Sequence, residues 1–360
     1  MKPEEAADAA EFFCGDPAHD TNGGVNWALK RVNGGVPEPI RIEIWELGNE
    51  LDEYTKLSRE EYVRRCRIAI KAVRSVVPQA QFAAHVAGAP WNKRRHPSLD
   101  HWRAWHRYVL QQLGSDIRWL VFHPYYEGVS VAYIYFFIDL IEEDLRSITG
   151  NRVKLYFSEH GRWPPRIAST AKAGHRKGKL DSTQTHSLRA CLAIADFLLR
   201  ATADPMIDAA SCHAFYGGPW GMVRYAEATD SFYPTGILDL FGLLTQVQGA
   251  EVLQTTSSGP YTDRNDRKHP ATFLAQAFRL QDRLLLFLLN KSPEEPRHVN
   301  LSLPGNCKLV RRSSLTAGSL KAFNTAGHRA IQVTSTRVDE PVSRSVVVPA
   351  KTLLLLEYVK

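Results

Sequence analysis

Between residues 41 and 215 short apolar runs of β character alternate with longer segments of helical periodicity, and that alternation leaves few architectures open. Five runs read as strands: 41–47, 81–86, 119–123, 154–158 and 209–215. Between them, Ser58-Arg59-Glu60-Glu61 has the form of a capping box with Ser58 as N-cap. Its apolar face follows as Tyr62, Cys66, Ile70 and Val73, and Pro78 marks its end. Further helices read over 99–113, 131–148 before Gly150, and 182–202 before Pro205; 4–13 and 25–32 are helical as well. Near-continuous apolar strands separated by helices predict a parallel sheet covered by helices. A barrel and an open sheet satisfy that pattern equally.

The character changes near residue 270. Runs at 273–280, 283–290, 298–303, 308–315, 330–334 and 352–359 are short and apolar or alternating, and turn residues such as Lys291-Ser292-Pro293 and Pro304-Gly305-Asn306 separate them. This predicts a small antiparallel β domain. The expected division is an α/β domain over 1–256 and a β domain over 257–360, with 257–269 as connector. The polar stretch 164–179 carries two prolines and two glycines and reads as a long mobile loop.

Hydrophobic residues at 44% and charged residues at 23% allow a chain of 360 residues a sizeable core. The formal net charge of +7 is spread out. Its densest clusters, 93–96 and 175–179, are short and lie among loop-forming residues, which argues for solvated loops and against a nucleic-acid partner. Cys14, Cys66, Cys191, Cys212 and Cys307 form no CxxC pair and read as buried free thiols. The stretch behind Met1 is charged and does not read as a signal peptide, which favours a cytoplasmic location. The longest apolar run, 129–138, is too short to cross a membrane. No nucleotide-binding glycine motif, HExxH or GxSxG occurs. His96, His101 and His106, spaced by five, scatter around a helix. No metal and no cofactor is expected.

Two of the β-runs end in a glutamate. Ile42-Glu43-Ile44-Trp45-Glu46-Leu47-Gly48-Asn49-Glu50 gives way to a polar loop, and in α/β folds the site lies at such C-terminal strand ends. Glu50 is placed to act on a ligand, and Asn49 offers donors and an acceptor for a sugar hydroxyl. Alone, Glu50 would more often be a surface charge. Val153 to Ser158 likewise ends in Glu159, with Trp163 close behind to stack on a sugar face; alone, Glu159 would read as a partner of Arg162. Between them in sequence, the strand at 119–123 ends in His123-Pro124-Tyr125. Tyr125 is suited to hydrogen-bond a carboxylate and His123 a hydroxyl, although a structural histidine is the bland alternative. His85 and His213 close two further strands and divide evenly between ligand contact and a structural role. Two carboxylates at equivalent ends of parallel strands change the odds. Retaining glycoside hydrolysis needs an acid/base and a nucleophile about 5–5.5 Å apart, and the expectation is Glu50 in the first role and Glu159 in the second.

These residues resemble the α-L-arabinofuranosidases of glycoside hydrolase family 51, within clan A. Asn33-Gly34 through Pro37-Glu38-Pro39, leading into Trp45-Glu46-Leu47-Gly48-Asn49-Glu50, is similar to that family's approach to its acid/base glutamate. His123-Pro124-Tyr125 matches its His-x-Tyr on the sixth barrel strand, Glu159 its nucleophile, and Trp163 a tryptophan beside the sugar. The resemblance implies a (β/α)8 barrel followed by an antiparallel β-sandwich, and a carbohydrate substrate. Three departures stand out. Glu159 is followed by His160-Gly161, where the family has Trp-Asn. Leu51-Asp52-Glu53 stands in place of Met-Asp-Gly. Glu50, which ends the fourth strand in that family, has only residues 1–49 before it, so strands one to three are expected to be absent. A half-barrel of that kind is expected to be poorly soluble or to self-associate as a homo-oligomer, with weak activity alone. The competing readings are another clan A enzyme (a β-xylosidase, a β-glucuronidase-like enzyme or an endo-glucanase) and a non-catalytic carbohydrate-binding fragment.

Overall fold

The computed structural model describes residues 2–54, 57–126, 131–165, 180–259, 262, 271–303, 307–341 and 345–359. The loop expected at 164–179 and the connector at 257–269 lie largely outside the described residues. In chain order the elements are α1 (Pro3–Cys14), α2 (Trp27–Asn33), β1 (Trp45–Glu46), α3 (Leu51–Tyr54), α4 (Arg59–Val76), β2 (Phe82–His85), α5 (Leu99–Leu113), β3 (Trp119–Val121), β4 (Tyr125–Tyr126), α6 (Ala132–Thr149) and β5 (Lys154–Arg162). They continue with α7 (Leu188–Thr202), β6 (Ile207–Cys212), β7 (Val223–Ala226), β8 (Ser231–Pro234), α8 (Gly236–Leu244), β9 (Glu251–Leu253), β10 (Phe273–Leu280) and β11 (Arg283–Asn290). The last are β12 (Arg297–Asn300), β13 (Lys308–Thr316), β14 (Gln332–Pro341), β15 (Ser345–Val348) and β16 (Thr352–Val359). Two compact units result: Met1–His123 with Phe137–Ser158, and Pro124–Phe136 with Glu159–Lys360. The division expected at 256/257 falls inside the second.

In the first unit β1, β2, β3 and the start of β5 pair in that order, all parallel. β2 and β3 are buried at every residue, as parallel strands covered on both faces must be. β1 is far shorter than the run 41–47. Its register sets Trp45 opposite Phe82, so residues 41–44 face the turn that ends α4, where Ala80 N–H donates to Val77 O, and find no ladder. α4 starts as its sequence predicts, with the Ser58 hydroxyl accepting from Glu61 N at 3.2 Å, and buries Tyr62, Val63, Cys66, Ile70 and Val73. α5 has the expected bounds and is tied to α6 by Asp144, which receives Arg103, His106 and Arg107. Buried Arg31 of α2 donates to the carbonyls of Phe12 and Gly15, closing the C-terminal end of α1.

In the second unit β4 pairs in parallel with the last residues of β5, Tyr125 opposite Gly161 and Tyr126 opposite Arg162. The helix expected over 182–202 is broken. Ser182–Thr185 form a 3-10 turn whose Asp181 side chain accepts from Thr183 N, and α7 begins only after Ser187. Polar side chains spend their hydrogen bonds locally there and compete with the helix. α7 is buried on nearly all sides. Its Asp196 accepts from Arg200 and from the fully buried Lys291 at the end of β11.

The larger antiparallel sheet runs β14-β13-β16-β11-β10-β9, and β12 pairs with β15 beside it. Phe273, Leu286, Leu288, Leu309, Val346, Val348, Leu354, Leu356 and Tyr358 share their core. β10, β11 and β16 have the expected bounds. β14 reaches well past 330–334: it is an edge strand exposed along almost its whole length, so its Thr, Ser and Arg residues carry no apolar alternation. The β7–β8 hairpin, α8, β9 and β15 have no counterpart in the sequence reading.

Candidate active site

The site residues fall into two groups, one in each unit. In the first unit, β1 turns sharply at Gly48, whose φ of 96° lies in the left-handed region that favours glycine. Glu50 follows at φ 47°, an uncommon conformation for a residue with a side chain and one that gathers at functional sites. Asn49 beside it is exposed. Glu50 Oε1 lies 2.9 Å from His123 Nδ1, and His123 Nε2 lies 2.9 Å from Ser158 Oγ. Ser158 donates to Glu46 Oε1 at 3.1 Å, and His85 Nε2 is 2.7 Å from the same oxygen. Burial alone would raise the Glu46 carboxyl, but the contacts of His123, His85 and Ser158 outweigh it and hold the group at about 2. Tyr62 of α4 fastens the strand ends: its hydroxyl donates to Leu47 O at 3.0 Å and accepts from His85 N at 2.8 Å.

In the second unit Glu159 sits on β5. Its Oε1 accepts from the Tyr125 hydroxyl, and its Oε2 lies 3.1 Å from His213 Nδ1. Arg162 reaches Gln184 O at 2.7 Å, so Glu159 takes Tyr125 and His213 as the partners seen here. Tyr125 stands 5.5 Å, ring to ring, from both Trp163 and Trp220, and Trp220 is 5.3 Å from His213. Trp163, 39% exposed, is positioned by its N–H bond to Tyr126 O. Trp220 donates from Nε1 to Arg162 O at 2.9 Å and closes over Gly161, where a Cβ would come within 3.2 Å of its ring. Gly161 thus makes room for Trp220. His160 points away into the core, fully buried 4.8 Å from Phe197 and 3.3 Å from the Tyr126 hydroxyl, and burial presses its imidazole down to about 3.

His123 therefore joins Glu50, and Tyr125, Trp163 and His213 gather around Glu159. His85 meets Glu46, which was not singled out from the sequence. Glu46 carried a signal, a charge between Trp45 and Leu47 at the end of a β-run. Trp220 carried one too, a tryptophan in a Gly-Gly-Pro-Trp-Gly loop. Ser158 carried none.

Solved structures share this fold over nearly the whole chain. The α-L-arabinofuranosidase of Thermotoga maritima, in an arabinose complex, aligns with a TM-score of 0.77 at 17% identity, over 99% of this chain and 73% of its own. The GH51 arabinofuranosidase of Xanthomonas axonopodis pv. citri gives the same values. BuGH86 in complex with neoagarooctaose aligns at 0.63 with 12% identity, over 90% of this chain and 51% of its own. The fold is α/β, with strands of a partial (β/α)8 barrel followed by an antiparallel β-sandwich. No protein-family model matches the sequence, and no curated protein does. Among the described residues no helix is long and apolar enough to cross a membrane.

Proposed function

We propose that this chain is a retaining glycoside hydrolase acting on α-L-arabinofuranosides, with Glu50 as general acid/base and Glu159 as nucleophile. The observation that carries this reading is the setting of Glu159, a carboxylate on β5 aimed by a tyrosine hydroxyl and an imidazole and walled by Trp163 and Trp220. The fold likeness supports it. In the first step Glu159 attacks the anomeric carbon while Glu50 gives its proton to the leaving oxygen, leaving a glycosyl ester on Glu159. In the second step Glu50 takes a proton from water, which displaces Glu159. Asn49 and His123 are suited to the sugar hydroxyls, and the tryptophan faces to its C–H side.

The test is a panel of 4-nitrophenyl glycosides with the product anomer followed by NMR. The α-L-arabinofuranoside is expected to turn over faster than the β-xyloside, β-glucuronide and β-glucoside, with the first product keeping the substrate's configuration. Glu159→Ala is expected to lose about 10,000-fold or more, the scale of removing a nucleophile, and to regain turnover with azide as a glycosyl azide of opposite configuration. An inverted first product, or undiminished turnover in Glu159→Ala, would sink the assignment. Sugar binding with no turnover of any panel member would make the chain a carbohydrate-binding protein instead.

A further inference from the structure

We propose that Glu46, His85 and His123 form a binding site for one divalent transition-metal ion, with zinc the best fit. One oxygen of Glu46 and one nitrogen of each imidazole lie within 4.8 Å of one another. Glu46 Oε1 is 2.7 Å from His85 Nε2 and 3.9 Å from His123 Nε2. An ion held at about 2.0–2.2 Å by such ligands in a tetrahedral site sets them roughly 3.3 Å apart, so small side-chain shifts suffice. The two rings stand nearly perpendicular, at 83° with centroids 5.2 Å apart, an arrangement that lets two imidazoles direct lone pairs to one centre.

Two further observations point to an ion. His85 is only 5% exposed, and its Nε2 is buried with no aligned hydrogen-bond partner among the described residues, even though the Glu46 oxygen is close. An ion pair out of hydrogen-bond alignment satisfies a buried imidazole nitrogen poorly, and a metal ion would satisfy it and the carboxylate together. The second is the setting of His123. Its other nitrogen, Nδ1, meets the Glu50 carboxylate at 2.9 Å, the carboxylate–histidine–metal relay that orients and tunes metal-bound imidazoles. Two imidazoles and a carboxylate suit zinc and leave a further position open for water. Each ligand comes from a different segment, at Glu46, His85 and just past β3, and the relevant spacing is across the sheet. That is why no ligand motif shows in the sequence. Binding would replace the bond between His123 Nε2 and Ser158 and fix the His123 proton on Nδ1, facing Glu50. That last consequence rests on the role proposed for Glu50; the site itself does not.

The chain, stripped with a chelator, is titrated with zinc by calorimetry and with cobalt(II) by its visible absorption. Saturation at one ion per chain is expected. His85→Gln and Glu46→Gln should each weaken binding by about 100-fold or more, beyond what losing an outer partner does. X-ray absorption on the zinc-loaded wild-type chain should show two imidazoles and one carboxylate at about 2.0–2.2 Å, a readout that needs neither variants nor turnover. A titration that does not saturate, binding unchanged in both variants, or a zinc spectrum without imidazole scattering would overturn the proposal.

Discussion

The surroundings of Glu50 and of Glu159 differ in kind. Glu50 belongs to a polar chain of His123, Ser158, Glu46 and His85. Glu159 sits in an aromatic wall of Tyr125, Trp163 and Trp220, with His213 on its other oxygen. An imidazole nitrogen donates in one tautomer and accepts in the other, so the His123 bond survives whether the Glu50 carboxyl carries a proton or not. A phenol near neutral pH donates, which suits the nucleophile proposed for Glu159, whose oxygen would have to stay an acceptor until it attacked carbon. The two glutamates, one in the turn past β1 and one on β5, are thus told apart by their partners, as the two roles proposed for them require.

That contrast can be broken by experiment. After Glu159→Ala, the next largest effect is expected from Glu50→Ala, with rates on arabinofuranosides of poor leaving groups falling about 100- to 10,000-fold, the worth of general acid catalysis. Activated aryl substrates, which need no proton, should fall far less; equal losses on both would mean that Glu50 is not the acid. Tyr125→Phe removes one hydrogen bond to a charged oxygen, worth about 1.5–3 kcal/mol. A drop in kcat of roughly 10- to 100-fold is expected, with the dependence on leaving group unchanged. If that dependence moved instead, Tyr125 would serve the acid side.

The smallest effect concerns stability. Burial keeps His160 neutral down to about pH 3, whereas an unfolded histidine takes a proton below about 6.5. Between those values the unfolded chain binds the extra proton. His160 therefore stabilises the fold fully above pH 6.5, and its contribution declines by about 1.4 kcal/mol per pH unit as the pH falls toward 3. Denaturant midpoints of His160→Phe should fall less steeply between pH 7 and pH 5 than those of the wild-type chain, with activity at pH 7 nearly kept. Parallel slopes would show that the imidazole does not titrate this way.

What the sequence made legible was local. Ser98 and Gly114 bound α5, and turns on both sides bound β10 and β11, so period and punctuation sufficed. β1 was overread because its length is set by where β2 begins, and α7 because the polar residues before it bond elsewhere. Glu50 and Glu159 could be found as charges at the ends of apolar runs. Their partners could be found only in part. His123 and Trp163 follow strand ends, Tyr125 opens β4, and all three were read as contacts. Trp220 closes over Gly161 from a loop 59 residues further on, a distance in sequence that no periodicity spans. The same step explains the unusual His160-Gly161 pair: one residue fills the core and the other vacates space for an indole.

β16 lies in the middle of its sheet, paired along eight residues with β11 on one side and along seven with β13 on the other. It is also the last of these strands to leave the ribosome. Until it arrives, the apolar run Leu284–Leu289 of β11 has only β10 beside it, and β13 and β14 form a separate hairpin. Synthesis must therefore pass through a stage in which a leucine-rich edge waits for its partner, the kind of surface that draws chaperones or aggregates. Slowing translation across residues 352–359 would prolong that wait, and the yield of soluble chain should register it.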